Sequence, residues 1–486
     1  MTRLRINGSR AFGVRPGSPV LFKVPAVGLG ALVYTADNLP EGLQINAENG
    51  VISGAITEQG EYACTIHVRD DSNEVQRELL FVVGENICLT PFMGWNSWYC
   101  HSELISEKAV REVADMMVEK DLVNHGWTYV NIDDCWQAVR KGVEPLQPNE
   151  RFSDMAAMCD YIHEKGLKAG IYHTPWLSTY AGFSGGSIDP EARSKELPEQ
   201  KRRQKGQLYG RYPAVMKKKL NRVGSQWLFD VDVKPWAEWG IDFVKLDWNP
   251  NDVPTTRRMF SDLRNIGRDI VISLSNEAPF ENAEGLQPYS HSLRTTSDIE
   301  AWWWSIARNF KQQEPWLQYI RPGYWPDPDM LQVGNIGTPN RQNTEFKPTR
   351  LSRDEQRSQM SLWCLLSAPL LITCDLASMD DFILGLLTND DAIDINQDYP
   401  AQPPVREILG WMKEVWRKPL HDGHLAVGIF NRAFFKRSYV VDFEKLGLAC
   451  KPKVVSVWDG KVYDTGSGPV RVKIPRHGVS FWKTVD

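Results

Sequence analysis

The chain has 486 residues, of which 42% are hydrophobic and 24% charged, with a net charge of −5. This length exceeds one simple core and predicts two to four domains at roughly 100–200 residues each. The composition excludes disorder and collagen-like repeats, and the acidic balance argues against a nucleic-acid partner, which would favour a basic surface.

Residues 1–88 read as a small all-β module. Short alternating runs such as Tyr62–Arg69 lie between turn signals, including Leu39-Pro40-Glu41-Gly42 and Asn49-Gly50. The stretch LPEGLQINAENGVISGAITEQGEYACTIHVRD (39–70) resembles an immunoglobulin-like repeat. Its expected role is a spacer packed on its neighbour.

From Leu89 to about residue 396 the pattern changes to short apolar strands alternating with amphipathic helices. Strands are predicted at Phe92–Trp98, Tyr129–Asp133, Lys168–His173, Phe243–Asp247, Ile270–Leu274, Leu293–Asp298, Asp329–Gln332 and Leu370–Cys374. Helices are predicted at 107–119, 154–165, 254–266 and 354–366. Repeated strand–helix alternation implies a parallel sheet, and eight strands over this length fit a (β/α)8 TIM barrel. After residue 397 the helices thin out. Short strands at Leu425–Phe430, Ser438–Phe443, Val454–Trp458 and Val470–Ile474 predict an antiparallel β-sandwich over 397–486.

Three further features bound the reading. The longest mostly apolar stretch, Leu362–Cys374, carries Ser367 and Pro369 and falls short of the roughly 20 residues a bilayer requires, so no membrane span is expected. The eight cysteines include no CxxC pair, which excludes a zinc ribbon or a thioredoxin-like motif. Residues 191–222 hold eleven Lys/Arg against three Asp/Glu, a solvated excursion or a positive rim for a polysaccharide.

Strand parity locates the chemistry. Residues i and i+2 of a strand face the same side. In Phe243-Val-Lys-Leu-Asp247 the apolar Val244 and Leu246 suit the helix-facing side. Lys245 and Asp247 then point into the barrel near its C-terminal end, where barrel enzymes build their sites. By the same rule Asn131 pairs with Asp133, followed by Asp134; Arg294 with Thr296 and Asp298; and Asp327 with Asp329. A single Asp at a strand end is often a helix cap, but four acidic strand ends with a Lys and an Arg are not explained that way. Clustered carboxylates serve metal-dependent hydrolysis or glycoside hydrolysis. The nine His show no HxH or HExxH spacing, and Lys245 would repel a cation. A cation beside a nucleophilic carboxylate keeps it ionised, and Trp95 and Trp98 offer flat faces to a sugar ring. A glycosidase is the favoured expectation, with no metal.

The motifs LTPFMGWNSWYC (89–100), YVNIDDCWQ (129–137), GIDFVKLDW (240–248), LRTTSDIEAWW (293–303) and WPDPDMLQVGN (325–335) resemble glycoside hydrolase family 27, the α-galactosidase and α-N-acetylgalactosaminidase family. LLSAPLLITCDL (365–376) and LTNDDAIDINQD (387–398) are similar as well. The resemblance covers about 89–486 with every motif in family order. It implies a retaining exo-α-galactosidase that needs no cofactor. Asp247 would be the nucleophile and Asp298 the acid/base, with carboxyl groups roughly 5–5.5 Å apart. Asp133 and Asp134 match the pair that binds the sugar 4- and 6-hydroxyls, Lys245 the lysine reaching the 3- and 4-hydroxyls, and Arg294 an arginine near the 2-hydroxyl. Trp98, Tyr172 and Asp329 match ring-contacting positions. The implied partner is a galactoside carbohydrate, and many relatives are dimers or tetramers, which leaves a homo-oligomer open.

Substrate and compartment follow from details of the match. Members resembling β-L-arabinopyranosidases carry Glu as the second acid, so the shorter Asp134 favours galactose. Where the family reads Ser-x-Cys-Glu-Trp, this chain has Ser273-Leu-Ser-Asn-Glu-Ala-Pro279. Asn276 takes the place of the family glutamate without a gap, and Glu277 takes it with a one-residue shift, which keeps an α-N-acetylgalactosaminidase open. Trp248-Asn249 follows the nucleophile in place of Asn-Cys or Gly-Cys, and Thr179-Tyr180-Ala181-Gly182 replaces Thr-Cys-Ala-Gly, so both partners of one family disulfide are absent together. Cys100 and Cys135 match another family disulfide; a bond there would mean an oxidising environment. The N-terminus shows no signal peptide. The expected location is periplasmic or secreted with the signal outside this numbering, cytoplasmic staying open. A non-catalytic carbohydrate-binding protein is the alternative from a different class, but such a protein is expected to lose Asp247 or Asp298, and both are present.

Overall fold

The computed structural model describes residues 4–190, 220–339, 344–408 and 412–486. Most of the basic 191–222 segment lies outside the described residues.

Eight parallel strands form the central sheet: β1 (Met93–Asn96), β2 (Tyr129–Asn131), β3 (Lys168–His173), β4 (Phe243–Asp247), β5 (Val271–Ser275), β6 (Ser292–Arg294), β7 (Trp325–Asp327) and β8 (Leu370–Ile372). The order β7-β6-β5-β4-β3-β2-β1-β8 is sequential around a barrel, and a parallel bridge between Leu331 and Ile372 joins the two edges. Strand residues such as Val130, Ile171, Val244 and Leu274 are fully buried against the surrounding helices. The helices begin where short polar side chains satisfy free backbone N–H groups. Asp154 accepts from Ala157 N, Asp252 from Thr255 N, and Ser352 with Glu355 forms a reciprocal capping box.

The seventh strand departs from the expected Asp329–Gln332 and runs over Trp325–Asp327. Pro328 has no N–H to continue the ladder, and Asp329 turns to φ 83°. The apolar run that suggests a strand supplies instead the closing contact at Leu331. The sixth strand stops at Arg294 rather than Asp298. An antiparallel hairpin of Asn335–Pro339 and Thr344–Pro348 was not anticipated.

The N-terminal module is an Ig-like β-sandwich. Ala11–Val14, Glu74–Val83, Gly60–Arg69 and Val33–Asp37 make a four-stranded sheet, and Pro19–Lys23, Val51–Ala55 and Leu43–Ile45 a three-stranded one. Ile52, Ile66, Val68 and Phe81 fill its core. The module docks under the N-terminal rim of the barrel. Arg15 pairs with Asp269 and also donates to the carbonyls of Arg264 and Arg268 at 3.1 and 2.7 Å. Lys23 Nζ donates to Asn124 Oδ1 at 2.9 Å, and Lys168 at the start of β3 lies 4.7 Å from the centre of the Phe12 ring. The module is therefore at the opposite end from the strand C-termini.

The C-terminal domain is antiparallel, with a six-stranded sheet facing the two-stranded Arg437–Val441 and Val470–Ile474 pair. It packs on the barrel helix Arg353–Leu365. Ser358 Oγ donates to the His477 carbonyl at 2.6 Å, His477 pairs with Glu355 at 2.5 Å, and Trp458 Nε1 donates to Ser361 Oγ at 2.9 Å. Among the described residues no helix is long and apolar enough to cross a membrane.

Candidate active site

A cavity opens at the C-terminal ends of the strands. The parallel register explains why its walls are polar. Tyr172 on β3 pairs with Lys245 on β4, and Asp247 with Ser275 on β5, so these side chains project to the same interior side while Val244 and Leu246 pack outward. Gly170, two residues before Tyr172, is required: a Cβ there would lie 1.8 Å from Asn131 Oδ1. None of the acidic strand ends named from the sequence caps a described helix.

The floor is a charged network. Asp133 Oδ2 accepts from Lys245 Nζ at 2.8 Å and Asn96 Nδ2 at 2.9 Å, and its Oδ1 accepts from Asp134 N at 2.8 Å. Asp134 accepts from Cys135 N at 2.7 Å and Ala181 N at 2.9 Å. Burial nevertheless pushes its carboxyl up to about 7 against those bonds. Lys245 also lies 5.5 Å from the Tyr172 ring centre. Its buried ammonium is held well above its ordinary value, because Asp133 and Asp247 outweigh the cost of burial.

Asp247 and Asp298 sit in contrasting environments on the same cavity. Asp247 is only 7% exposed. Tyr172 OH donates to its Oδ2 at 3.0 Å, while Oδ1 is buried with no partner among the described residues. Burial raises its pKa to about 6; Lys245 opposes the shift, and the charge of Asp298 adds to it. The Asp298 side chain is 57% exposed. Arg294 Nη2 donates to Asp298 Oδ1 at 3.1 Å and pairs with Asp329 Oδ2 at 2.9 Å, so one guanidinium orients both. Asp329 is further fixed by Ile299 N and Met330 N, each at 2.8 Å. Asp327 accepts from Asp329 N at 2.7 Å and is pushed up to about 7 by burial; it supports the site from behind without lining it.

The structure thus brings Trp98, Asp133, Asp134, Tyr172, Lys245 and Asp247 to one cavity, together with Asn276, Arg294, Asp298 and Asp329. Two expectations are corrected, and the cysteine pair left open by the sequence is settled. Glu277 is exposed and outside the cavity: the chain turns at φ 49° there, and Asn276 alone faces the site. Trp95 is fully buried and donates to the Cys374 carbonyl at 3.1 Å, so it is a core residue and no sugar platform. Cys100 and Cys135 are both free thiols. They face different surroundings, Cys100 towards Cys374 and Asp375, and Cys135 towards Asp134 and Arg151. Tyr99, Tyr180 and Met330 also line the cavity and were missed. Tyr99 is held by a 2.7 Å bond to the Ile299 carbonyl; its position beside Trp98 was the available signal. Tyr180 marks the point where this chain departs from the family motif.

A TIM barrel with two carboxylates of contrasting exposure and a ring of polar side chains at its C-terminal mouth has the parts of a glycoside hydrolase. Comparison with known proteins makes this specific. The family model for α-galactosidase A matches residues 90–199 and 200–398, the model for the α-galactosidase C-terminal β-sandwich domain matches 412–484, and an Ig-domain model matches 6–83. α-Galactosidase 2 of Arabidopsis thaliana is 31% identical over 430 residues, 87% of this chain and 95% of that protein. α-Galactosidase A of Cellvibrio japonicus is 30% identical over 432 residues, 81% of this chain and 92% of that protein. A solved structure from Bacteroides fragilis NCTC 9343 superimposes with a TM-score of 0.84 over 99% of this chain and 98% of its own, at 27% identity. The chain belongs to glycoside hydrolase family 27, the α-galactosidase family.

Proposed function

We propose that the protein is a retaining exo-α-galactosidase that removes terminal α-D-galactosyl residues from oligo- or polysaccharides. The observation that carries this reading is the asymmetry of the two carboxylates: Asp247 is buried with one oxygen unpartnered, and Asp298 is exposed on the same cavity.

Asp247 Oδ1 attacks the anomeric carbon while Asp298 protonates the departing glycosidic oxygen, giving a covalent glycosyl-enzyme with inverted configuration. Asp298, now a base, takes a proton from water. That water attacks the same carbon and releases α-galactose with net retention. Tyr172 and Lys245 keep the Asp247 carboxylate ionised and aimed. Asp133, Asp134 and Lys245 offer acceptors and a cation to the ring hydroxyls. The short Asp134 carboxylate, pinned by Cys135 N and Ala181 N, leaves room for the CH2OH of galactose, and a sugar lacking that hydroxyl leaves a buried acid unmatched.

One observation favours a second substrate. Asn276, an uncharged amide, lines the cavity at the place of the family glutamate that contacts the sugar 2-position, and its neighbour Ser275 accepts from Arg294 Nη1 at 3.4 Å. That wall carries one carboxylate fewer, which suits an N-acetyl group.

The test is hydrolysis of p-nitrophenyl α-galactoside, α-N-acetylgalactosaminide, β-L-arabinopyranoside and α-glucoside, with the first-formed anomer followed by proton NMR. Selective release of α-galactose with retained configuration is the expected result. Release of the β-anomer would overturn the double-displacement mechanism, and selective release of the N-acetyl sugar would replace the galactose reading with the second one.

A further inference from the structure

Four aromatic side chains at the junction of the barrel and the C-terminal domain stand in solvent. Trp302 and Trp304 are 41% and 52% exposed, and Phe434 and Phe435 are 51% and 61% exposed. No other tryptophan among the described residues is exposed to this degree. The Trp304 and Phe434 rings lie 5.6 Å apart, so the surface is continuous across the two domains. Trp303, between the two exposed indoles, is buried and stacks on His477 at 4.2 Å and 8°. His477 is in turn held by Glu355 at 2.5 Å. This anchor sets the backbone so that the neighbouring indoles are presented outward, and Trp302 Nε1 is tied to Glu300 Oε2 at 2.5 Å.

Scattered exposed apolar residues need no explanation, but the paired Trp304 and Phe434 rings, with Trp302 two residues away along the chain, form an aromatic cluster of the kind that marks a binding surface. The chain keeps the cluster's two indoles within a short tether of the cavity. Asp298 precedes Trp302 by four residues and Trp304 by six, which limits the separations to about 14 and 21 Å of extended chain. Asp298 is also the exposed carboxylate, on the side from which a leaving group departs. The loop that carries Trp302 and Trp304 is therefore within reach of a saccharide attached to the scissile oxygen. Their chemistry suits it: flat indole and phenyl faces match the C–H faces of pyranose rings.

We propose that Trp302, Trp304 and Phe434 form an aromatic platform that binds a neutral polysaccharide backbone bearing the α-galactosyl branch cleaved at Asp247. The proposal rests on the galactosidase reading above and adds a polymer-binding surface on the leaving-group side. Covering half of an exposed ring corresponds to about a tenfold change in affinity.

The experiment compares wild type with Trp302→Ala and with a Trp304→Ala/Phe434→Ala double variant. Each is assayed on p-nitrophenyl α-galactoside and on galactomannan, and each is run on native gels containing galactomannan. The expected result is unchanged aryl-galactoside kinetics, about a tenfold fall in kcat/KM on galactomannan carried by KM, and loss of gel retardation. Equal polymer kinetics and equal retardation would overturn the platform. So would a change in molar mass by light scattering with polymer kinetics unaltered, which would assign the patch to contact between copies of the chain. Silence of wild type on the aryl galactoside would overturn the galactosidase reading alone, and gel retardation would still decide the platform.

Discussion

The phenol of Tyr172 donates to Asp247 Oδ2 at 3.0 Å, while the other oxygen of that buried carboxylate has no partner among the described residues. One oxygen is fixed and the other is left free to react, and the local charges decide when it can. Burial raises the Asp247 pKa to about 6, and Lys245 limits the rise. The group is therefore ionised at neutral pH and protonated in mild acid.

The acid limb of kcat/KM is expected near pH 6, with activity lost as pH falls through it, because only the ionised carboxylate attacks. Lys245→Met removes the stabilising cation and moves that limb to higher pH. A limb that stays in place in this variant would show that another group controls it. The position of the limb is the readout, since loss of a sugar contact would lower the rate without moving it.

Asp247→Asn is expected to abolish turnover and stabilise the fold. The folded pKa lies above the ordinary carboxylate value, so the carboxyl contributes fully to stability below the unfolded pKa. That contribution is lost as pH rises through about 6. A neutral amide avoids the loss, worth about 1–3 kcal/mol at pH 7–8 and vanishing near pH 4. Denaturant melts at both pH values measure it, and equal stability of the two proteins at pH 8 would contradict the buried-charge account.

Asp298→Ala removes the group proposed to protonate the leaving oxygen. Substrates with poor leaving groups should slow by about 10²–10⁴-fold and aryl galactosides far less. Adding azide should rescue the aryl reaction and yield the α-galactosyl azide. A uniform slowing across leaving groups would remove Asp298 from that role.

Arg15→Ala breaks the pair with Asp269 and two further bonds to barrel carbonyls. Loss of about 1–3 kcal/mol is expected in module docking, seen by calorimetry as an earlier or separate transition. Turnover of aryl galactosides should be unchanged, because the module sits at the opposite end of the barrel. A matching fall in turnover with the module still docked would show coupling between the two ends.

How much of this was legible in the sequence depends on how local each signal is. The alternation in Phe243–Asp247 was enough to place Lys245 and Asp247 on the interior side, since side-chain direction along a strand follows from the backbone alone. The same held for Arg294, while Asp133 and Asp298 lie beyond the ends of their strands and still line the cavity. Period-2 patterning and turn residues likewise revealed both β-rich ends and the barrel between them. The seventh strand was misplaced because the apolar run after Pro328 resembles a strand, while its partner across the barrel, Ile372, lies some forty residues away.

Other features depended on contacts that no local pattern carries. Only the fold decided that Asn276 rather than Glu277 faces the cavity, because the turn at φ 49° settles which of two adjacent side chains points inward. Trp95 and Trp98 look equally suited to a sugar in the sequence. Tertiary packing buries the first against Cys374 and gives the second to the cavity. The sequence by itself determined the three-part architecture, the strand ends that bear carboxylates and the family, because each rests on short-range periodicity or contiguous motifs. The tertiary structure alone decided which carboxylate is buried and which exposed, that one arginine holds Asp298 and Asp329 together, and that the N-terminal module docks away from the site. Burial and through-space charge are properties of residues brought together from distant parts of the chain.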